Sequence, residues 1–389
     1  MYQPPVVACI GAGQLARMMA TAAGELGMAL RVMANSADDP AALVLPETQV
    51  IVGSPADTAA LSRLLAGASV LTFEHELIPD TVFDQAAAAG VAVHPRREAL
   101  VYAKDKLAMR RRLGELGLPM PAWVEGDDID GVAQLGKHCG WPLVAKVTHG
   151  GYDGRGVEFV TNLFDYQEWR ERLDSGTQCL VEQRVPFTRE LAVLGARRGS
   201  GEMRIWPVVQ TWQESGQCAA VLQAPHETET KVFAQAEAIA RRVAAELDVT
   251  GVFAVELFEV QSPSGKSQLY INELAMRPHN SGHWTQDGCV TSQFEQHLRA
   301  VLDLPLGVTT PTAPVTAMAN VLGSALEDPG QAAATVMERY PNVKIHLYRK
   351  GNRPGRKLGH VNVSGLSPEA LLAEARGAAD LLMGKGAGS

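Results

Sequence analysis

Residues 251–285 read GVFAVELFEVQSPSGKSQLYINELAMRPHNSGHWT and contain two apolar runs separated by the polar stretch SPSGKS. Two such runs joined by a short turn with Gly predict a β-hairpin. If the turn is centred on Ser264 and Gly265, Glu256 lies directly opposite Glu273. Opposed residues of an antiparallel pair have Cβ atoms about 4.5–5.5 Å apart, and like charges there are destabilising. A positive group is therefore expected between the two carboxylates.

Magnesium is the natural candidate for that positive group, because this hard ion is held by one or two carboxylates together with substrate phosphates. Asn272, next to Glu273, can add an amide oxygen. The alternative is a pair of exposed carboxylates on a solvated sheet face. The apolar residues that flank both glutamates make this alternative the weaker one.

The nine residues 277–285, RPHNSGHWT, follow the hairpin at once and carry many hydrogen-bonding side chains without a helical or strand period. Polar loops of this kind beside a metal site usually bind a ligand. A zinc site built on His279 and His283 would lack further ligands. We therefore expect a ligand-binding loop.

Residues 150–156, GGYDGRG, form another candidate site directly after a predicted strand that carries Lys146. The backbone N–H groups of such a loop can surround a polyphosphate, and the lysine adds charge. The alternative is a plain hairpin loop, but four glycines in seven residues cost more conformational entropy than a hairpin requires. We expect this loop to be mobile without nucleotide and ordered with it.

The first hundred residues alternate short apolar runs with helical patterns, which predicts a parallel β-sheet with helices on its faces. Residues 11–16, GAGQLA, resemble the turn that binds dinucleotide phosphates at a helix N-terminus. The acidic residue expected about 20 residues later is missing, because the second strand ends at Asn35. A tight turn without a dinucleotide is favoured, and a phosphorylated ligand beside Gln14 stays possible.

The rest of the chain divides into three further units. A small unit around the break LGLPMP at 116–121 is interpreted as a lid, and an antiparallel sheet backed by helices follows it. The predicted fold class is α/β and α+β. Its parts are a Rossmann-like parallel-sheet domain at 1–104, a central lid domain at 105–186, a catalytic antiparallel sheet at 187–305 and a small β-rich subdomain at 306–384.

The 389 residues are 46% hydrophobic and 20% charged, the balance of a globular chain. The formal net charge of −8 argues against general nucleic-acid binding. No apolar stretch reaches the roughly 18 residues of a membrane helix, and the five cysteines are scattered singly, so we expect a cytoplasmic protein that does not enter the membrane. A solvated basic face and a phosphate clamp are both possible for one basic cluster, which comprises Lys344, Arg349, Lys350, Arg353, Arg356 and Lys357.

Six segments together resemble one family: GAGQLARM, GGYDGRG, VEQ, INELAMRPHNSGHWT, SQFEQHLRA and RPGRKLGH. It is the 5-(carboxyamino)imidazole ribonucleotide synthase family of ATP-grasp enzymes, the ATPase subunit of bacterial phosphoribosylaminoimidazole carboxylase. The likeness covers almost the whole chain and implies an ATP-grasp fold and a homodimer. The implied reaction, in purine biosynthesis, carboxylates 5-aminoimidazole ribonucleotide with bicarbonate through carboxyphosphate. It would use ATP and Mg²⁺, and the product would pass to a downstream mutase.

The resemblance also implies roles for individual residues. Glu256 and Glu273 match magnesium ligands, while Glu182 would lie at the adenine and Glu190 at the ribose. The implied ATP-binding set is Lys106, Lys146, Gly151, Tyr152, Asp153, Gly154, Arg155, Gly156, Glu182, Gln183, Glu190 and Asn272. The implied ribonucleotide-binding set is Gly13, Gln14, Leu15, Glu74, Tyr152, Arg277, Asn280, Ser281, Lys350, Arg353 and Arg356. The implied catalytic set is Arg277, His279, Asn280, His283 and Lys350.

The chain departs from the family pattern at three positions: Lys106, where arginine is common, Met276, where proline is usual, and Ala219, where we expect arginine. Three other functions are compatible with parts of the sequence. One is another ATP-grasp ligase, such as a formate-dependent glycinamide ribonucleotide transformylase or a biotin carboxylase, which would not be expected to carry HNSGHWT together with RPGRKLGH. The others are a dinucleotide-binding oxidoreductase and a non-catalytic nucleotide-binding regulator.

Overall fold

The computed structural model describes residues 4–150, 156–225, 230–262 and 265–386, and within these ranges the strands form three β-sheets. The first sheet contains β1 (Val6–Ile10), β2 (Ala29–Ala34), β3 (Val50–Val52), β4 (Val70–Phe73) and β5 (Ala92–Val93). These strands are parallel and lie in the order β3-β2-β1-β4-β5, which confirms the predicted parallel sheet. The accompanying helices are α1 (Gln14–Glu25), α2 (Thr58–Leu65), α3 (Asp80–Ala88) and α4 (Arg97–Lys104).

The second sheet is small and antiparallel. Helix α5 (Lys106–Glu115) precedes it and is capped by the Asp105 side chain, which accepts hydrogen bonds from two N–H groups of its first turn. The strands are β6 (Trp123–Glu125), β7 (Leu143–Val147), β8 (Val157–Val160) and β9 (Cys179–Gln183), in the order β6-β9-β7-β8. Helices α6 (Ile129–Cys139) and α7 (Leu163–Glu171) accompany this sheet.

The third sheet is antiparallel, as the pattern of the second half of the chain predicts, and it has nine strands. They are β10 (Arg189–Arg197), β11 (Met203–Ile205), β12 (Val209–Glu214), β13 (Gln217–Gln223), β14 (Gly251–Gln261), β15 (Ser267–Ala275), β16 (Val315–Leu322), β17 (Lys344–Leu347) and β18 (Lys357–Gly365). Their order is β15-β14-β10-β12-β13-β16-β18-β17, and β11 pairs with β10. The last three strands join the sheet through β13 and β16, so both sides of position 305 share one sheet. Its helices are α8 (Thr230–Glu246), α9 (Thr285–Gly288), α10 (Gln293–Val301), α11 (Ala333–Arg339) and α12 (Pro368–Leu382).

Two helices pack against the third sheet or connect it to the parallel sheet. The apolar face of α8, with Ile239 and Val243, is buried against strands β10, β14 and β15. Helix α10 instead places Phe294, Leu298 and Val301 in one core with β1 and α1. The parallel sheet and the nine-stranded sheet are thus joined by a shared apolar core, and the candidate site lies at this junction.

None of the helices in the described ranges combines the length and apolar character needed to span a membrane. All five cysteines are free thiols.

Candidate functional site

A cavity of about 690 Å³ lies between the parallel sheet and the nine-stranded sheet. It is bordered by the start of α1, the segment after β4, the start of α5, the turn between β12 and β13, the hairpin β14–β15, the loop after β15 and the segment before β18. The predicted residues that line it are Gln14, Leu15, Glu74, Lys106, Glu256, Glu273, Arg277, His279, Asn280, His283, Lys350, Arg353 and Arg356. All five members of the implied catalytic set are therefore brought together.

The predicted pairing of Glu256 with Glu273 is confirmed, but the predicted hairpin centre is wrong. Near the turn Gln261 pairs with Ser267, one residue out of the expected register. A β-bulge at Asn272 inserts an extra residue in β15 and restores the pairing of the two glutamates. The two carboxylates thus face one another because of the bulge.

The surroundings of the carboxylate pair disfavour a negative charge on Glu256. Burial raises the pKa of Glu256 to about 8, and the charges of Glu273 and Glu190 add to this effect. Burial also raises the pKa of Glu190 to about 7. Lys106 pairs with Glu273, with its Nζ 3.7 Å from Oε1. A hard divalent cation fits this donor set, because it would stabilise the ionised form of both members of the pair.

His279 adds no positive charge beside Glu256, although its Nε2 lies 3.6 Å from Oε1 of that glutamate. Burial, assisted by the nearby Arg277 charge, lowers the pKa of His279 to about 3. The imidazole is therefore neutral at physiological pH. Arg277 is itself paired with Glu76, whose Oε1 lies 2.8 Å from the guanidinium Nε.

Glu182 lies behind the carboxylate pair in a buried ion-pair network. Its carboxylate binds Arg110 through one oxygen and Lys146 through the other. Burial alone would raise the pKa of Glu182, but the two cations outweigh burial and lower it to about 2. Lys146 also lies 3.4 Å from Oδ1 of Asn272. The Glu182 side chain is thus directed at protein cations, and neither it nor Lys146 is part of the cavity lining.

The glycine turn before α1 accommodates a carboxylate of the protein itself. Glu74 accepts hydrogen bonds from the N–H groups of Gly13 and Ala16 at the helix N-terminus. A Cβ atom on Gly11, whose φ is +102°, would lie 2.3 Å from Cγ of Glu74. The small residues of GAGQLA therefore leave room for Glu74, which occupies the position that a dinucleotide phosphate would take.

The basic cluster is divided by the fold. Lys350, Arg353, Arg356 and Lys357 line the cavity, whereas Lys344 and Arg349 lie outside its lining. Lys350 donates a hydrogen bond to the side-chain oxygen of Gln14. Burial lowers the pKa of Lys350 from 10.5 to about 8. Among the described carboxylates, none forms an ion pair with Lys350, Arg353 or Arg356, so this end of the cavity is suited to an anion.

The loop after β15 is held by one buried side chain of α10. Gln293 accepts a hydrogen bond from the N–H of His279 and donates to its carbonyl, each at 2.8 Å. The same amide nitrogen lies 2.9 Å from Nδ1 of His283. The backbone contacts fix the amide orientation, so Nδ1 of His283 accepts this bond and its proton is on Nε2.

Several predicted residues lie beside the cavity lining. Gly13 and Ser281 adjoin residues that line it, and Gln183 ends strand β9 next to Glu182. Gly156 has a φ of +72°, and a Cβ atom there would lie 2.4 Å from Cγ2 of Val147. The predicted loop residues Gly151, Tyr152, Asp153, Gly154 and Arg155 lie outside the described residues.

Sequence reasoning missed three functional contributors: Glu76, Arg110 and Gln293. Glu76 belongs to the polar run EHE at the carboxyl end of β4, where parallel sheets bind ligands, so this signal was available. Arg110 is one of three consecutive arginines, and the sequence does not distinguish it from its neighbours. Gln293 lies in SQFEQHLRA, in which no periodicity marks a glutamine as buried.

The chain matches three family models: the ribonucleotide synthetase preATP-grasp domain over residues 5–104, the ATP-grasp domain over 111–294 and the phosphoribosylaminoimidazole carboxylase C-terminal domain over 316–374. It is 48% identical to the N5-carboxyaminoimidazole ribonucleotide synthase of Mycobacterium tuberculosis over 366 residues, which are 93% of this chain and 84% of that protein. The predicted ATP-grasp fold is confirmed by these matches and by the solved structures that resemble the chain.

Two of those structures come from Aspergillus clavatus. One is carboxyaminoimidazole ribonucleotide synthase complexed with ATP, with a TM-score of 0.87 at 30% identity over 98% of this chain and 99% of that one. The other is N5-carboxyaminoimidazole synthase in complex with ADP and 5-aminoimidazole ribonucleotide, with a TM-score of 0.87 at 29% identity and the same coverage. The chain therefore belongs to the N5-carboxyaminoimidazole ribonucleotide synthase family of ATP-grasp ligases.

Proposed function

We propose that this protein uses ATP to carboxylate the amine of 5-aminoimidazole ribonucleotide with bicarbonate, in purine biosynthesis. The products are N5-carboxyaminoimidazole ribonucleotide, ADP and phosphate, and carboxyphosphate is the intermediate. One observation carries the proposal: the lining of a single cavity contains both the carboxylate pair and the cations Lys350, Arg353 and Arg356. Family membership and the relatives that bind ATP or the ribonucleotide support the same reaction.

The proposed chemistry requires both the carboxylate pair and the cations. Bicarbonate is a poor electrophile until phosphorylation converts one of its oxygens into a leaving group. Phosphoryl transfer asks a protein mainly for positioning and charge neutralisation, so no covalent nucleophile is required. Carboxyphosphate is lost to water in an open site, and a loop that closes over it protects it. Residues 150–156 are proposed for that role.

Magnesium is proposed to bind Glu256 and Glu273. When bound, it would neutralise charge on the phosphates of ATP. Lys106 and Lys146 are proposed to contact the same phosphates, with Glu190 near the ribose. The two lysines flank the carboxylate pair, at Glu273 and Asn272 respectively, which supports this arrangement.

The ribonucleotide is proposed to place its phosphate on Lys350, Arg353 and Arg356. Its amine would then lie toward Arg277 and the neutral His279. Because His279 and His283 are uncharged, they recognise oxygen atoms by hydrogen bonds and leave the positive charge to Arg277. Ser281 would support this loop through its hydroxyl, which lies 2.9 Å from Nδ1 of His279.

Further parts of the proposal concern the cellular setting. The protein is proposed to be a cytoplasmic homodimer that passes its product to a downstream mutase. Five free thiols suit a reducing compartment. Light scattering coupled to size-exclusion chromatography tests the dimer.

The test of the proposed reaction is ADP release from MgATP and bicarbonate, with and without 5-aminoimidazole ribonucleotide. We expect release that depends on both the ribonucleotide and bicarbonate. Release that instead requires formate and glycinamide ribonucleotide, or another acceptor, would overturn the substrate while leaving the ATP-grasp assignment. ATP binding without any turnover would indicate a regulator.

Replacing Glu273 by Gln is expected to abolish ADP release without lowering the melting temperature. The substitution removes one carboxylate from a like-charge pair, so the fold loses a repulsion while the metal site loses a ligand. Glu214→Gln, at an exposed strand end of the same sheet, is the matched control and should keep parental activity. Near-normal turnover of Glu273→Gln would contradict the metal assignment.

The KM for 5-aminoimidazole ribonucleotide is expected to rise as the pH increases through about 8. The pKa of Lys350 is lowered to about 8, so its side chain carries a positive charge below that pH. Above that pH the side chain loses the charge and with it the attraction for a phosphate. Steady-state kinetics of the parent and of Lys350→Arg check this. The arginine stays charged, so its KM should be flat over the same range, and a parallel rise in both proteins would refute the assignment.

Two buried glutamines of α10 offer a matched pair of variants. Gln293 holds both backbone groups of His279, and Gln296 holds both backbone groups of Gly307 in the same way. Replacement of either by Leu leaves buried polar groups unpaired and should cost about 1–3 kcal/mol of unfolding free energy for each such group. Only Gln293→Leu should also lower kcat/KM, because only it releases the cavity loop. Equal kinetic losses in both variants would count against a positioning role.

A further inference from the structure

The β-bulge at Asn272 decides which way Glu273 points. Leu269 and Ile271 pack into the core, and so does Leu274, three residues after Ile271 instead of two. In a regular strand Glu273 would share the face of Ile271 and point into that core. The extra residue shifts the alternation and places Glu273 on the face of Glu256. Whatever holds the bulge therefore holds the carboxylate pair.

One side chain contacts the bulge through two successive carbonyls. Arg110 donates from Nη1 to the carbonyl of Ile271 at 3.1 Å and from Nη2 to that of Asn272 at 2.8 Å. Successive carbonyls of an extended strand point in opposite directions, so one guanidinium can reach both only where the strand is bulged. The third donor, Nε, binds Glu182.

The surroundings of Arg110 distinguish it from the neighbouring Arg111. The side chain is 1% exposed, whereas that of Arg111 is 55% exposed and pairs with Glu125 at the surface. Strand β15 forms the edge of the nine-stranded sheet, so its outer carbonyls need partners from another element, and helix α5 provides them. The Nζ of Lys146 lies 3.4 Å from the side-chain Oδ1 of the same bulge residue, Asn272. Helix α5 and strand β7 thus both contact Asn272.

We propose that Arg110 is a positioning residue that holds the Asn272 bulge and thereby keeps Glu273 directed at Glu256. The inference rests on the proposed role of this pair in binding magnesium. Arg110 touches neither nucleotide nor metal in this assignment. It acts through the backbone of β15, and its planar fork is what allows one side chain to bind two carbonyls and a carboxylate together.

The test compares Arg110→Lys with the matched control Arg111→Lys and with Glu273→Gln. Lysine keeps the charge that Glu182 requires but lacks the planar fork. Two quantities are measured: Mn²⁺ affinity by electron paramagnetic resonance with a non-hydrolysable ATP analogue, and amide hydrogen exchange of the peptide covering 270–276. For Arg110→Lys we expect Mn²⁺ affinity to fall about 10-fold or more, as for other residues that orient metal ligands, and the amides to exchange faster. Arg111→Lys should match the parent in both.

The outcomes separate this inference from the metal assignment. If Glu273→Gln binds Mn²⁺ like the parent, the magnesium pair is wrong, and the exchange measurement alone decides whether Arg110 holds the bulge. If Glu273→Gln loses Mn²⁺ but Arg110→Lys matches the parent in affinity and exchange, the positioning role is refuted. Should Arg110→Lys not fold, Arg110→Gln removes the guanidinium while Glu182 stays paired with Lys146, so no buried charge is left without a partner. Faster exchange over 270–276 is expected in that variant too, and parental exchange would refute the role.

Discussion

Two carboxylates that face each other across an antiparallel pair repel, and the site of this protein is organised around that repulsion. Glu256 and Glu273 are opposed because a bulge in β15 turns one of them out of the core. The fold tolerates the arrangement through the high pKa of Glu256, so the pair need not carry two full charges before a cation binds. The proposed binding of a cation to this pair would therefore also change the stability of the sheet.

Some cations around Glu256 and Glu273 pair with another carboxylate of the protein, and others line the cavity without such a partner among the described residues. Arg110 and Lys146 both pair with Glu182, which they keep ionised in a buried environment. In the cavity lining Lys350, Arg353 and Arg356 form no ion pair with a described carboxylate. The lining thus combines carboxylates suited to a metal ion with cations suited to a phosphate.

Backbone groups around the cavity are held by side chains from distant segments. Glu74 binds the N-terminus of α1, Gln293 binds the loop at His279, and Arg110 binds the bulge. Each of these side chains satisfies buried N–H or C=O groups that regular secondary structure would leave unpaired. The irregular backbone of the site is therefore as well supported as its strands.

By itself the sequence determined the parallel and antiparallel sheets and the family, because periodicity, turn residues and dense motifs are local properties of the chain. Only the tertiary structure decided that Asn272 is a bulge, that Glu74 fills the glycine turn and that Arg110, among three consecutive arginines, is buried. These features depend on contacts between residues more than 50 positions apart, such as Gly13 with Glu74 and Arg110 with Asn272. Local sequence patterns do not indicate such contacts, since the packing of the three sheets determines which residues meet.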